Sequence, residues 1–163
     1  MFNKTGVASK SMLEEKLPHK ERREKGPYAI FECFQKIPCN PCSTVCKFKA
    51  VKDFKNINDM PEVDYDNCTG CAMCVSVCPG LACFVIDETY SDTEVIIKLP
   101  YEFLPLPEVP SIINALDREG KVIGKANVLK VNDSKKLDHT NVVTITVPKE
   151  IFMDVRNIEL EEK

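Results

Sequence analysis

Apolar residues along this chain come in short blocks, most of them bounded by turn residues. Gly26-Pro27 is a turn signal, and the unbroken run Tyr28-Ala29-Ile30-Phe31 after it predicts a short strand that leads through Glu32 into Cys33. Glu62-Val63-Asp64-Tyr65 is a second lead-in of the same kind, aimed at Cys68. Cys83-Phe84-Val85-Ile86-Asp87 predicts a further strand. From Thr93 the pattern changes to alternation, with Val95, Ile97 and Leu99 on one side of a half-buried strand. Pro100, Pro105, Pro107 and Pro110 then punctuate a stretch that cannot be helical and reads as a linker or edge wrap. Residues 111–116, the turn Asp117-Arg118-Glu119-Gly120 and residues 121–131 predict a hairpin. Residues 132–141 form a polar loop, and residues 142–147 a strand with Val143, Ile145 and Val147 on one face. Pro148 suits the first turn of a short helix that groups Ile151, Phe152 and Val155.

Between the strands lie the cysteines, eight of the nine in two unequal copies of one pattern. The second copy is Cys68-x2-Cys71-x2-Cys74-x3-Cys78-Pro79, the bacterial iron–sulfur ligand run. Three closely spaced thiolates hold three corners of a cubane, and the fourth, leaving in another direction, ligates a different cluster. The first copy is Cys33-x5-Cys39-x2-Cys42-x3-Cys46. From Cys39 onward the copies align at an offset of 32 residues, which lays Thr44-Val45 on Ser76-Val77 and Ala50 on Ala82. Cys33 and Cys68 are 35 apart, so the sequence reads as an internal duplication with three extra residues before Cys39. Lys47 stands where the other copy has Pro79. The duplication implies a crossed assignment of two [4Fe-4S] clusters: Cys33, Cys39, Cys42 and Cys78 for one, and Cys68, Cys71, Cys74 and Cys46 for the other. Cys83 aligns with Val51 and reads as a small buried hydrophobe beside a cluster, not a ligand.

Other uses of cysteine fit less well. Zinc favours pairs separated by a knuckle, and thiols at x2, x2, x3 cannot all wrap one small tetrahedral ion. An odd cysteine count and an N-terminus without a signal-type apolar stretch argue against a disulfide framework, so reduced thiols and a cytoplasmic location are expected. A Rieske-type centre needs two histidine ligands, whereas His19 and His139 lie far from the cysteine runs and read as ordinary surface residues.

Composition narrows the function by exclusion. The formal net charge of −3, without a basic face evident in the sequence, argues against nucleic acid as partner. The longest apolar stretch, Leu81 to Ile86, is six residues and far short of a membrane span. Residues 13–25 are dense in charge of mixed sign and read as a solvated helix or arm. No glycine-rich nucleotide fingerprint and no nucleophile–base set is visible, so no catalytic residues are assigned.

Together these features predict an α+β protein. A charged N-terminal arm over residues 1–26 would precede a ferredoxin-like two-cluster domain over 27–90 and a small β-barrel-like C-terminal domain over 91–163. Cluster binding would itself hold the middle part together, because metal affinity becomes folding free energy. Ile37, Val45, Val75, Val77, Leu81 and Phe84 are the apolar candidates for keeping water from the clusters.

The cysteine half resembles the bacterial two-cluster ferredoxins at Cys68, Cys71, Cys74, Cys78 and Pro79. More narrowly, the run from Phe31-Glu32-Cys33-Phe34 through Ile37-Pro38-Cys39-Asn40-Pro41-Cys42, with the tail segment Asp117-Arg118-Glu119-Gly120-Lys121-Val122-Ile123-Gly124, is similar to certain small iron–sulfur subunits. These accompany flavin-dependent amino-acid and amine dehydrogenases related to hydrogen cyanide synthase, sarcosine oxidase and multi-subunit proline or hydroxyproline dehydrogenases. The resemblance spans roughly residues 15 to 160. It implies an electron-transfer subunit in a hetero-oligomer with FAD-dependent dehydrogenase subunits, with FAD or FMN held only by those partners. Two alternatives stay open at this point: a freestanding ferredoxin-type carrier, and a cluster-stapled structural or redox-sensing protein.

Overall fold

The computed structural model describes residues 2–138 and 140–161. The reading of His139 as a surface residue falls outside them; His19 is exposed. Three short helices, α1 (Phe2–Thr5), α2 (Lys10–Glu14) and α3 (Lys20–Arg23), make up the N-terminal arm. The Ser9 hydroxyl caps α2 by accepting from the Met12 N–H. The arm is not simply solvated, since Leu13 is buried and Leu17 packs against the main core.

Seven antiparallel strands follow: β1 (Tyr28–Phe31), β2 (Cys83–Asp87), β3 (Glu94–Tyr101), β4 (Ser111–Leu116), β5 (Val122–Asn132), β6 (Asn141–Pro148) and β7 (Asn157–Glu159). They form one sheet in the order β1-β2-β3-β6-β5-β4-β7, so strands from the cysteine region and from the tail lie side by side. The register puts the alternating residues on a common face. Ile30 pairs with Phe84, Ile86 with Ile97, Ile97 with Ile145, Ile145 with Val128, and Ala115 with Ile158. All of these are buried in the main core.

β1 and β2 are buried on both faces, which explains their unbroken apolar sequence. Tyr28, Ile30, Phe84 and Ile86 face the main core, while Ala29, Phe31, Cys83 and Val85 face a second core. That second core includes Cys74, Val75 and Ala72, with Cys42, Cys46, Cys68 and Cys78 packed against it. The cysteine loops therefore cover the outer face of the β1–β2 end of the sheet.

Those loops carry the duplication in their backbone. Helices α4 (Pro41–Val45) and α5 (Met73–Val77) sit 32 residues apart, and each ends at a cysteine in extended conformation, Cys46 and Cys78. The Lys49 N–H donates to the Cys46 carbonyl and the Leu81 N–H to the Cys78 carbonyl, both at 3.1 Å, and Lys49 and Leu81 share a positive φ of 54° and 50°. The pairing is reciprocal. Phe31 pairs with Cys83, and Val63 with Val51; the Glu32 N–H donates to the Ala82 carbonyl, and the Asp64 N–H to that of Ala50. Each copy's lead-in thus pairs with the exit of the other copy.

This register corrects one sequence expectation. The 32-residue offset holds on both sides of Cys33, so nothing is inserted before Cys39. Tyr65, not a cysteine, occupies the position equivalent to Cys33. Its hydroxyl donates to the Lys16 carbonyl at 2.5 Å, and a turn closed by the Cys68 N–H on the Tyr65 carbonyl carries the chain on to Cys68.

Two other expectations are corrected. Residues 62–65 form only a single bridge, at Val63. Pro148 does not open a helix: it ends β6 opposite Glu94, and residues 149–154 make hydrogen-bonded turns. The carbonyl of Ile151 accepts from both Asp154 and Val155, which still buries Val155 in the core.

Candidate functional site

The reciprocal pairing determines which thiols meet. α5 delivers Cys78 at its C-terminal end, away from Cys68 and Cys71 at its N-terminal side. Cys78 lies within electrostatic reach of Cys33, Cys39 and Cys42: burial raises all three thiols above their ordinary range, and a negative charge on Cys78 raises them further. Cys42, the most buried of the three, is pushed up to about 12. At the other end, Cys46, Cys68, Cys71 and Cys74 line one small cavity whose walls include Phe31, Val51 and Val63. Cys78 thus shares surroundings with Cys33, Cys39 and Cys42 of the opposite copy, and Cys46 with Cys68, Cys71 and Cys74.

Among the described residues no set of three or more His, Cys, Asp or Glu converges to hold a single ion. In a cubane each thiolate binds its own iron, so the ligands stand around the group instead of meeting at one point. Soft thiolates in fours, flanked by apolar walls, suit an iron–sulfur cluster in donor chemistry.

The sulfurs also receive backbone hydrogen bonds. Cys68 Sγ accepts from the Ala29 N–H of β1 at 3.3 Å, and Cys78 Sγ from the Ala82 N–H at 3.3 Å. Donors aimed at ligand sulfur favour its negative form and are one of the levers on cluster potential. Cys83 lies between Cys74 and Cys78, 2% exposed. A hydrogen bond from Cys83, assisted by backbone N–H groups, outweighs burial and brings the Cys78 thiol down to about 6. The same Cys83 bond lowers Cys74, and donating to both raises Cys83 itself.

Local geometry holds the Cys68–Cys71 loop tightly. Gly70 has φ +65°, and a Cβ there would lie 2.5 Å from Pro27 Cβ and 3.0 Å from its backbone carbon, so only glycine fits. Arg22 donates to four carbonyls, of Tyr65 (2.7 Å), Gly26 (3.1 Å), Pro27 (2.9 Å) and Cys68 (2.6 Å). Lys98 of β3 donates to the Gly70 carbonyl at 2.9 Å. Neither Arg22 nor Lys98 stands out in the sequence. Arg22 sits in a charge-dense segment and Lys98 at the polar phase of an alternating strand, and nothing local marks either as a tether.

The Cys33 side is tied to the tail. Glu32 accepts from Arg118 Nε and Nη2 at 2.8 and 2.7 Å, and from Arg156 Nε at 2.5 Å. Arg156 is buried, lies over the Phe84 ring and leaves Nη2 without a hydrogen-bond partner among the described residues. Burial alone would raise the Glu32 carboxyl; the bonds and charges of the two arginines hold it below the usual carboxylate range.

The apolar candidates separate on inspection. Val75 is fully buried beside the thiols, whereas Phe84 faces the main core and Ile37 is 42% exposed. No helix among the described residues is long and apolar enough to cross a membrane.

Residues 59–80 match the 4Fe-4S binding domain family, a segment that contains Cys68, Cys71, Cys74 and Cys78. No curated protein and no solved structure matches the chain. The matched segment supports an iron–sulfur protein of ferredoxin type with at least one iron–sulfur cluster.

Proposed function

We propose that this chain is an electron-transfer subunit that relays electrons through two [4Fe-4S] clusters between flavin sites of an amino-acid or amine dehydrogenase complex. Cys33, Cys39, Cys42 and Cys78 would hold one cluster, and Cys46, Cys68, Cys71 and Cys74 the other. What supports the reading is that Cys78 lies within electrostatic reach of Cys33, Cys39 and Cys42, while Cys46 lines one small cavity with Cys68, Cys71 and Cys74. Each cluster, when bound, takes up and releases one electron at a time.

The chain's own residues supply the surroundings. Val75 and Phe31 keep water from the thiols, the Ala29 and Ala82 N–H groups stabilise charge on sulfur, and Arg22 with Lys98 fixes the Cys68 loop. Thiols of both copies pack against one core on the β1–β2 end of the sheet. The flavin partners rest on the resemblance of residues 31–42 and 117–124 to small subunits of such complexes.

The experiment is anaerobic isolation under conditions that keep partners bound, followed by flavin analysis of the co-eluting species. Flavin-bearing subunits that stay with the chain and reduce it on substrate addition support the reading. A chain that elutes alone, without flavin, from cells expressing it natively is a freestanding carrier.

A further inference from the structure

The two copies of the duplicated segment carry opposite charge. Residues 33–58 contain five lysines, Lys36, Lys47, Lys49, Lys52 and Lys55, against the single carboxylate Asp53. The equivalent residues 65–90 contain Asp66, Asp87 and Glu88 and no lysine or arginine. In a chain of net charge −3 the first copy is therefore a local reversal of sign. Nothing in the shared backbone requires it.

All five lysines are exposed. Lys49 pairs with Asp53 at 3.6 Å and Lys52 with Glu62 at 3.0 Å, both weak surface contacts. Lys36, Lys47 and Lys55 have no ion-pair partner among the described residues. Exposed apolar side chains stand beside them in the chain: Ile37 at 42% follows Lys36, Phe48 at 48% follows Lys47, and Ile57 at 47% is two residues beyond Lys55. Hydrogen bonds gather these residues around the first cysteine run. The Cys39 N–H donates to the Ile57 carbonyl at 3.1 Å, the Ser43 hydroxyl donates to the Lys52 carbonyl at 3.0 Å, and Lys47-Phe48 directly follows Cys46. Phe48 also lines the cavity of Cys46, Cys68, Cys71 and Cys74, so this surface borders both thiol groups.

We propose that this face, with Lys36, Lys47 and Lys55 around Ile37, Phe48 and Ile57, docks the acidic surface of a protein that exchanges electrons with the chain. The proposal rests on the electron-transfer reading above. Unpaired lysines steer an acidic partner and set its orientation. The apolar centre excludes water once contact is made. In the exchange one electron leaves the reduced chain and one is gained by the partner; no covalent bond changes.

The test uses the full, cluster-loaded chain with flavodoxin, an acidic one-electron flavoprotein, as probe. Binding is read by anisotropy of dye-labelled flavodoxin, and electron transfer by stopped flow from the dithionite-reduced chain. Raising salt from about 20 to about 500 mM is expected to weaken binding and slow transfer roughly tenfold or more. K36E/K47E/K55E is expected to cause a similar loss at low salt with iron content and EPR spectrum unchanged, whereas D66K leaves binding intact or strengthens it. Binding that is absent, or indifferent to both salt and the triple variant, overturns the proposal. Equal lysine-dependent binding to phosphatidylserine vesicles or to a DNA duplex also overturns it, as it would mark a general polyanion surface. Lysine-dependent flavodoxin binding by a chain with no reducible signal keeps the docking surface and overturns the electron-transfer reading instead.

Discussion

Glu32 and Arg118, 86 residues apart, meet in a two-pronged ion pair at 2.8 and 2.7 Å that links the approach to Cys33 with the β4–β5 turn. Both side chains are largely buried, at 9% and 13% exposure, and Arg156 closes on the same carboxylate. Removing Glu32 leaves Arg156 buried without its carboxylate, which in such settings costs about 3 kcal/mol or more, whereas removing Arg118 leaves Glu32 paired with Arg156 and costs less. Glu32→Gln is expected to lower the midpoint of urea unfolding by that order, and Arg118→Ala to lower it by a smaller amount.

The same pair gives a pH dependence. The folded Glu32 carboxyl lies below its ordinary range, so its stabilisation is complete above the unfolded value and is lost as pH falls through the folded one. Urea midpoints of the native chain should therefore fall on acidification through the carboxylate range more steeply than those of Glu32→Gln. Parallel curves for the two proteins would contradict this assignment.

Gly70→Ala places a methyl group against the Pro27 backbone at a φ that other residues adopt with strain. A loss of roughly 1–3 kcal/mol is expected from the conformation alone, with the clash added. Thermal melts of the cluster-loaded protein read it, and the visible charge-transfer absorbance should bleach at a lower temperature than in the native chain.

Arg22→Ala removes four charge-assisted hydrogen bonds from the Cys68 loop and its neighbours. Hydrogen bonds to charged groups are each worth about 2 kcal/mol, so the loop should loosen markedly. The expected outcome is partial iron loss, with EPR showing depletion of the signal that depends on Cys71 and retention of the signal that depends on Cys33.

Cys83→Ala tests the non-ligand reading of the ninth cysteine. Iron content should stay that of the native chain, while the loss of a hydrogen-bond donor beside Cys74 and Cys78 shifts the midpoint of a redox titration. A loss of about four irons would make Cys83 a ligand.

Much of this architecture is written locally. The alternation of Val95, Ile97 and Leu99 and of Val143, Ile145 and Val147 identifies β3 and β6, and Asp117 to Gly120 identifies their neighbouring hairpin turn. The ligand runs mark α4 and α5 because helix and cysteine spacing are coupled. What local pattern cannot carry is pairing. β7 is three residues long and exists as a strand because β4 lies beside it. Pro148 is equally suited to open a helix or to end an edge of β6, and only the partner Glu94 decides. The Glu32–Arg118–Arg156 cluster joins residues that no periodicity relates. The displacement of Cys33 is visible in the sequence, but its meaning depends on the equivalence of Phe31 with Val63, which only the sheet reveals.

The central claim is that two groups of four thiols each hold a cluster. Its most direct test is iron and inorganic sulfide per chain in protein isolated anaerobically, with EPR spin quantitation after dithionite reduction. Roughly eight irons and eight sulfides, with spin approaching two per chain, is the predicted result. About four irons and a single spin, with Cys33, Cys39 and Cys42 all open to alkylation, would contradict it and leave one cluster in this protein.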